Sequence, residues 1–143
     1  MWFEDCAVGQ RWVSSGRTLG LGEIQDFAIR YDAQYLHVDE PAATAGPYGG
    51  IIASGFHTLA VAWSLYLQTG ALGEGSQGGI GMDEVRWLLP VRPGDTLRVE
   101  TEIVEVGTLR KGRGRVVFAH TARNQNGEAV LTYRTLGLVA ARP

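Results

Sequence analysis

The sequence of 143 residues predicts an α+β fold, a single domain in which an antiparallel sheet wraps around one long buried helix. The segment Gly55–Thr69 is apolar on nearly every side of a helix, and such a helix is expected to be buried nearly all round. One strand-like segment precedes it and four follow it. The length suits one domain, residues 1–143, with no internal linker.

The first third of the chain is predicted to contain one strand and two short helices. Gln10–Leu19 is interpreted as a strand. Apolar residues then recur at the i, i+3, i+4 and i+7 positions of a helix face, at Ile24, Phe27, Ala28 and Tyr31. Pro41–Ala43 begins a further helical turn, which the pair Gly46-Pro47 ends.

The second half is predicted to form strands after a flexible glycine-rich link, Gly70–Gly79. The four strands are Ile80–Leu89, Thr96–Ile103, Arg115–Arg123 and Glu128–Val139. Polar and apolar residues alternate in Thr96–Ile103, as in a sheet with one face in water, and Asn126-Gly127 predicts a hairpin. We expect an antiparallel meander curved around the helix, which is the hotdog architecture. A helix lying on a flat sheet would instead keep one wet side, which this helix sequence does not favour.

Composition excludes several classes of function. A formal net charge of −2 gives no electrostatic reason to expect nucleic acid or an anionic membrane as partner. The single cysteine, Cys6, predicts neither an internal disulfide nor, without paired Cys and His residues, a metal site. No secretion signal and no apolar run long enough for a membrane helix are apparent. We therefore expect a cytoplasmic protein.

Asp32 and His37 are the candidate catalytic residues. Adding water across an activated double bond requires a group that holds and deprotonates the water and a proton for the neighbouring carbon. A carboxylate and an imidazole five residues apart, near the end of a helix, can converge on one water molecule. The alternative interpretation is a helix cap and a hydrogen-bonded pair without catalytic use. The sequence leaves open which group takes the proton.

The surrounding motif resembles the MaoC-like dehydratases, which include the (R)-specific enoyl-CoA hydratases. The family has roughly G-D-x-N-P-x-H-x-D, and this chain has YDAQYLHVD over residues 31–39, followed by GPYGGIIASG. The segment WLLPVRPGDTL, residues 87–97, is similar to the family's strand and turn after the central helix. Gln34 and Tyr35 stand where the family often has Asn and Pro.

The resemblance implies a carbon-oxygen lyase that interconverts 2-enoyl-CoA and (R)-3-hydroxyacyl-CoA thioesters. It assigns the thioester oxyanion to the backbone N–H of Gly55, at the N-terminus of the long helix. Helix N-termini suit that role because their amides are unpaired and the dipole is positive there, although Gly55 could equally serve a tight turn. No metal or redox cofactor is implied, and coenzyme A enters as the substrate's carrier.

Three further residues are candidates for substrate binding: Gln34, Ser54 and His57. Ser54 could instead cap the long helix, and His57 could be a structural, hydrogen-bonded histidine. Asp39 is expected to cap the helical turn that follows it. The basic cluster Arg110–Arg115 could meet the phosphates of coenzyme A, but a solvated hairpin tip is the favoured interpretation.

Two other functions compete with hydration, because the hotdog fold hosts more than one chemistry. Hotdog thioesterases commonly rely on an acidic residue on or beside the central helix, and Gly55–Thr69 contains none. A non-catalytic acyl-CoA-binding module is the second alternative, and the intact Asp32/His37 pair speaks against it. We also expect at least a homodimer, since a single small sheet leaves strand edges unpaired.

Overall fold

Four α-helices, two short 3-10 helices (Phe3–Asp5 and Gly73–Gly75) and six strands form the fold, and the computed structural model describes all of residues 1–143. The helices are α1 (Leu21–Tyr31), α2 (Tyr35–Val38), α3 (Glu40–Ala45) and α4 (Gly55–Gln68). The strands are β1 (Arg11–Val13), β2 (Arg17–Thr18), β3 (Ser76–Trp87), β4 (Thr96–Val106), β5 (Arg113–Arg123) and β6 (Ala129–Ala140). This is the predicted α+β hotdog fold, with the antiparallel sheet around α4. None of the helices has the length and apolar character needed to cross a membrane.

The order of strands in the sheet is β1-β4-β5-β6-β3, with β2 also pairing with β4. The predicted meander is confirmed for β4, β5 and β6 but wrong for β3, which pairs with β6 at the far edge. After β3 the chain crosses the end of the sheet instead of turning back. Leu88 donates its N–H to Val130, and Val91 accepts the N–H of Ala53, so the connection is held by other segments and not by β4.

Two predicted strand boundaries are corrected. The glycine-rich link was expected to extend to Gly79, yet β3 already begins at Ser76, because ladder hydrogen bonds to β6 use the backbone alone. The first predicted strand is broken into β1 and β2. Ser14 interrupts it: this residue is buried, and its hydroxyl accepts the N–H of Val99.

Helix α4 forms the centre of the fold, but its burial differs from the expectation. Its buried residues are His57, which packs against α1, and Thr58, Val61, Ala62, Leu65 and Tyr66. The opposite side is open in the single chain, with Phe56 61% and Leu67 42% exposed, so the expectation of burial nearly all round is wrong for one chain. The outward residues are as apolar as the inward ones, which leaves an apolar surface uncovered.

A buried polar cluster lies between β4, β5 and β6. The ring nitrogens of His120 lie 2.8 Å from the Thr101 hydroxyl and 2.9 Å from the Thr135 hydroxyl. The imidazole also stacks on Tyr133, with ring centroids 4.4 Å apart. Burial lowers the pKa of His120 to about 3, so this side chain is neutral at physiological pH.

Replacing His120 should flatten the acid side of the stability profile. The pKa of His120 in the folded state lies below its ordinary value of 6.5. Between pH 6.5 and the folded-state value, His120 is therefore protonated in the unfolded chain and neutral in the folded chain. Wild-type stability should therefore fall as the pH drops from 6.5 towards 3, with this group contributing up to about 1.4 kcal/mol per pH unit. His120→Phe should be less stable at neutral pH but show a shallower fall. Urea unfolding at a series of pH values measures both slopes, and equal slopes would contradict this account.

Candidate active site

Asp32 and His37 meet in the structure although they belong to different helices. Asp32 ends α1 and donates its own N–H to Ala28 at 2.8 Å. His37 lies on α2 and is 5% exposed. Its Nε2 atom lies 3.4 Å from Oδ2 of Asp32. The turn between the two helices therefore places the pair within the reach of one water molecule.

The other nitrogen of His37 determines how the ring can act. Nδ1 lies 2.7 Å from the backbone carbonyl of Ile52. Because a carbonyl oxygen can only accept, Nδ1 must carry a proton. In the neutral ring Nε2 then has a free lone pair, and it faces the carboxylate of Asp32. A water molecule lying beside both atoms could donate one hydrogen bond to each.

Two side chains donate hydrogen bonds to the carboxylate of Asp32. The hydroxyl of Ser54 donates to Oδ2 at 2.7 Å, and the amide of Gln34 donates to Oδ1 at 2.8 Å. These bonds, the one from Ser54 first, lower the pKa of Asp32 below its ordinary value, with a smaller contribution from His37. Asp32 is therefore ionised at neutral pH and is a weak base.

The N-terminus of α4 lies beside this pair. Ser54 caps the helix, and its hydroxyl oxygen accepts the N–H of Phe56 at 3.2 Å. Gly55 is the first helical residue, as predicted, and its N–H has no acceptor within the chain. An unpaired amide at the positive end of a helix dipole can bind a negatively charged oxygen.

Trp87, at the end of β3, is a neighbour of this site that sequence reasoning missed. Its indole N–H donates to the carbonyl of Gly55 at 2.9 Å. A Cβ atom on Gly55 would lie 2.6 Å from the indole ring, so glycine is required here for the tryptophan to approach. The approach joins two segments more than thirty residues apart in sequence, and no local pattern signals it.

A cavity of about 330 Å³ opens between α2, the start of α4 and the segment after β3. His37, Gly55 and Trp87 line it together with apolar side chains such as Ile52 and Leu89. We call it the dyad cavity after His37; Asp32 does not line it and lies next to it, against His37. A larger cavity of about 460 Å³ lies along the outward side of α4 and β3. It contains neither Asp32 nor His37, so size alone does not indicate where chemistry occurs.

The remaining sequence candidates lie elsewhere. His57 does not line the dyad cavity. It is buried between α1 and α4, stacks on Phe27 at 4.5 Å and has Nε2 3.7 Å from Glu23, and burial lowers its pKa. No group of three or more His, Cys, Asp or Glu side chains is arranged to hold a metal ion.

The basic cluster spans the end of the turn between β4 and β5 and the first residues of β5. Arg115 pairs there with Glu105. This turn lies at the opposite end of β5 from the dyad cavity, whose wall residue Leu88 contacts the start of β6. A strand of this length spans about 35 Å, so the cluster is remote from the dyad of its own chain.

Comparison with known proteins assigns the family. Residues 7–124 match the model of the MaoC like domain, and the chain belongs to this family. It is 38% identical over 118 residues to 3-hydroxyacyl-thioester dehydratase Z of Mycobacterium tuberculosis, a match that covers 80% of this chain and 75% of that protein. The family and this relative support a hydratase-type enzyme.

Solved structures agree with this assignment. The MaoC-like dehydratase from Rhodospirillum rubrum superimposes with a TM-score of 0.93 at 36% identity, covering 100% of this chain and 99% of that one. The (R)-hydratase from A. caviae gives a TM-score of 0.74 at 25% identity, with coverage of 97% and 99%. A Mycobacterium tuberculosis protein described as having a double hotdog fold matches at 21% identity and a TM-score of 0.82, and this chain spans 45% of it.

Changing Gly55 to Ala should destabilise the protein through Trp87. The added Cβ would overlap the indole ring, and overpacking of this kind typically costs about 1–3 kcal/mol. Trp87→Ala introduced into the Gly55→Ala variant should recover part of that loss, so the two changes should be non-additive. Gly22→Ala is the control, because nothing lies within 4 Å of the Cβ it would add. Urea unfolding measures these three variants and Trp87→Ala alone, and strict additivity would rule out the contact.

Proposed function

We propose that the protein is a hydratase/dehydratase that interconverts 2-enoyl-CoA and (R)-3-hydroxyacyl-CoA thioesters at the dyad cavity. The observation that carries the proposal is the 3.4 Å approach of His37 Nε2 to Asp32 Oδ2 beside the N-terminus of α4. Membership of the MaoC-like family and similarity to an (R)-hydratase and a 3-hydroxyacyl-thioester dehydratase support it.

In the hydration direction, Asp32 and His37 hold one water molecule. His37 takes the proton on Nε2, because Nδ1 is already committed to donating to the Ile52 carbonyl. Asp32 is the weaker base, since Ser54 and Gln34 already donate to it. Its negative charge stabilises the imidazolium that forms. The water oxygen bonds to C3 of the enoyl chain as its proton moves to His37.

The electron pair of the C2–C3 double bond moves towards the thioester carbonyl, whose oxygen gains negative charge. The N–H of Gly55, free within the chain, donates to that oxygen with the help of the helix dipole. The imidazolium of His37 then returns a proton to C2. The sum is the addition of one water molecule, and the reverse sequence removes it.

This chemistry involves side chains and one backbone amide. Addition of water causes no net oxidation or reduction of the substrate, so the proposal requires no redox cofactor, and coenzyme A serves as carrier. Gln34 and Ser54, expected to bind substrate, are proposed to act on the carboxylate of Asp32. His57 is proposed to hold α1 against α4, because it touches Phe27 and Glu23 and not the dyad cavity.

Asp32→Asn and His37→Ala should each lower the turnover of crotonyl-CoA by several powers of ten. If both groups act on one water, the double variant should be little worse than the worse single variant, because residues that act as a unit are strongly non-additive. Binding of acyl-CoA should weaken far less, since the cavity walls and Gly55 remain.

Thermal unfolding of the same three variants is the control for this experiment. If Asp32 and His37 have only a structural role, the variants should lose stability, and their activity should fall only as far as the folded fraction falls. Well-folded variants that hydrate crotonyl-CoA at nearly the wild-type rate would end the hydratase assignment.

We further propose that two copies of the chain pair along β3. This strand is an edge of the sheet, 12 residues long and exposed almost throughout, and it carries neither Lys nor Pro to discourage pairing. The other edge is formed by β1 and β2, which have 3 and 2 residues. The open side of α4 lies next to β3 across the larger cavity, so a second copy on this edge would also cover apolar surface.

Ile80→Glu should convert the dimer to a monomer. Ile80 lies in β3 and is 57% exposed, and twofold pairing would bring two such glutamates close together, where like charges repel. Ile29→Glu is the matched control, because Ile29 is 65% exposed and lies on α1, which contributes no residue to the cavity beside β3. Light scattering measures the mass of each. A monomeric wild-type protein, or an Ile80→Glu variant that stays dimeric, would contradict the pairing.

A further inference from the structure

We propose that Ser54 is a positioning residue, whose hydroxyl fixes the carboxylate of Asp32 against the N-terminus of α4. The role rests on the proposed function, since Ser54 connects the Asp32 carboxylate, which holds the water, to the start of α4, where the Gly55 amide receives the oxyanion. It also differs from both sequence expectations for Ser54, which were a substrate contact and a helix cap alone.

One oxygen atom makes both connections. The hydroxyl of Ser54 donates to Asp32 Oδ2 at 2.7 Å and accepts the N–H of Phe56 at 3.2 Å. A hydroxyl has one proton to donate, and here that proton goes to Asp32. Ser54 is 0% exposed, so solvent does not compete for these bonds. The end of α1 and the start of α4 are therefore joined through a single buried atom.

Ser54 is itself held firmly. Its carbonyl accepts the N–H of Thr58 at 3.0 Å and the Thr58 hydroxyl at 3.3 Å. The preceding residue, Ala53, donates its N–H to Val91 at 2.8 Å. The second tether of the carboxylate, Gln34, is exposed. The buried anchor is thus the one that can keep Asp32 Oδ2 facing His37.

The hydrogen bond from Ser54 to Asp32 also gives Asp32 and His37 different roles. Ser54 donates to Oδ2, which is the oxygen 3.4 Å from His37 Nε2. The hydrogen bond from Ser54 stabilises the ionised carboxylate of Asp32. His37 is the titratable side chain that faces this carboxylate. Loss of the donor should therefore raise the pKa of Asp32 towards its ordinary value. Asp32 stays ionised at neutral pH in either case, but without the Ser54 hydroxyl its Oδ2 atom is no longer held towards His37, so it should hold the water less well.

Three substitutions separate positioning from capping. Ser54→Thr keeps both the hydroxyl and the cap. Ser54→Gly removes the hydroxyl but leaves an acceptable N-cap, and Ser54→Ala removes both. If Ser54 only caps the helix, Ser54→Thr and Ser54→Gly should behave nearly like wild type, and Ser54→Ala should lower the midpoint of urea unfolding. If Ser54 positions Asp32, Ser54→Gly and Ser54→Ala should lose kcat to a similar extent, and Ser54→Thr should have a kcat close to that of the wild type.

The measurements are kcat and KM for crotonyl-CoA across pH, and the pKa of Asp32 from its carboxyl ¹³C resonance. For Ser54→Gly and Ser54→Ala we expect kcat to fall at least tenfold with KM little changed. The pKa of Asp32 should move to a higher value. Ser54→Thr should restore wild-type values.

A folded Ser54→Gly protein with wild-type kcat and an unmoved Asp32 pKa would overturn the proposal. The pKa measurement needs no substrate, which separates it from the function. The wild-type protein could fail to hydrate crotonyl-CoA while the pKa of Asp32 still rises in Ser54→Gly and Ser54→Ala and stays unchanged in Ser54→Thr. That result would support the hold of Ser54 on Asp32 and would reject the proposed function.

Discussion

The hydrogen bond between the Ile52 carbonyl and His37 Nδ1, at 2.7 Å, is the contact on which the candidate site depends. It fixes the orientation of the imidazole and puts the free lone pair on Nε2. Ile52 can make this bond because the buried segment that precedes α4 is tied on both sides. Its own N–H donates to Leu36, and the next residue donates to Val91. The segment thus connects α2, the loop after β3 and α4 before the helix begins.

Burial is distributed unevenly around this segment, and that distribution suits the proposed chemistry. The side of α4 that faces the sheet supplies the core, while its first turn remains capable of receiving a charged oxygen. Trp87 covers part of that turn without filling the dyad cavity. The outward side of α4 remains apolar and open, and the edge strand β3 remains unpaired on one side, which is the surface expected of a chain that associates with a second copy.

Local chemistry made much of this fold predictable from sequence. Asp39 caps α3 by accepting from Ala42, Gly127 takes a left-handed φ of 75° in the last hairpin, and the alternation in β4 matches its buried face. The position of β3 was not predictable, because pairing with β6 is decided by contacts distant in sequence. Trp87 was missed for the same reason. Asp32 and His37 were identified by spacing and motif, whereas the tautomer of His37 required the position of the Ile52 carbonyl.

The most direct test of the central claim follows crotonyl-CoA with the wild-type protein. Ultraviolet absorbance reports the conjugated double bond, and a thiol reagent reports free coenzyme A. The account predicts that the conjugated band is lost without release of thiol, because water adds to C3 and the thioester stays intact. Release of thiol would indicate hydrolysis, and no change in either signal would indicate a binding module. Both results would contradict the account.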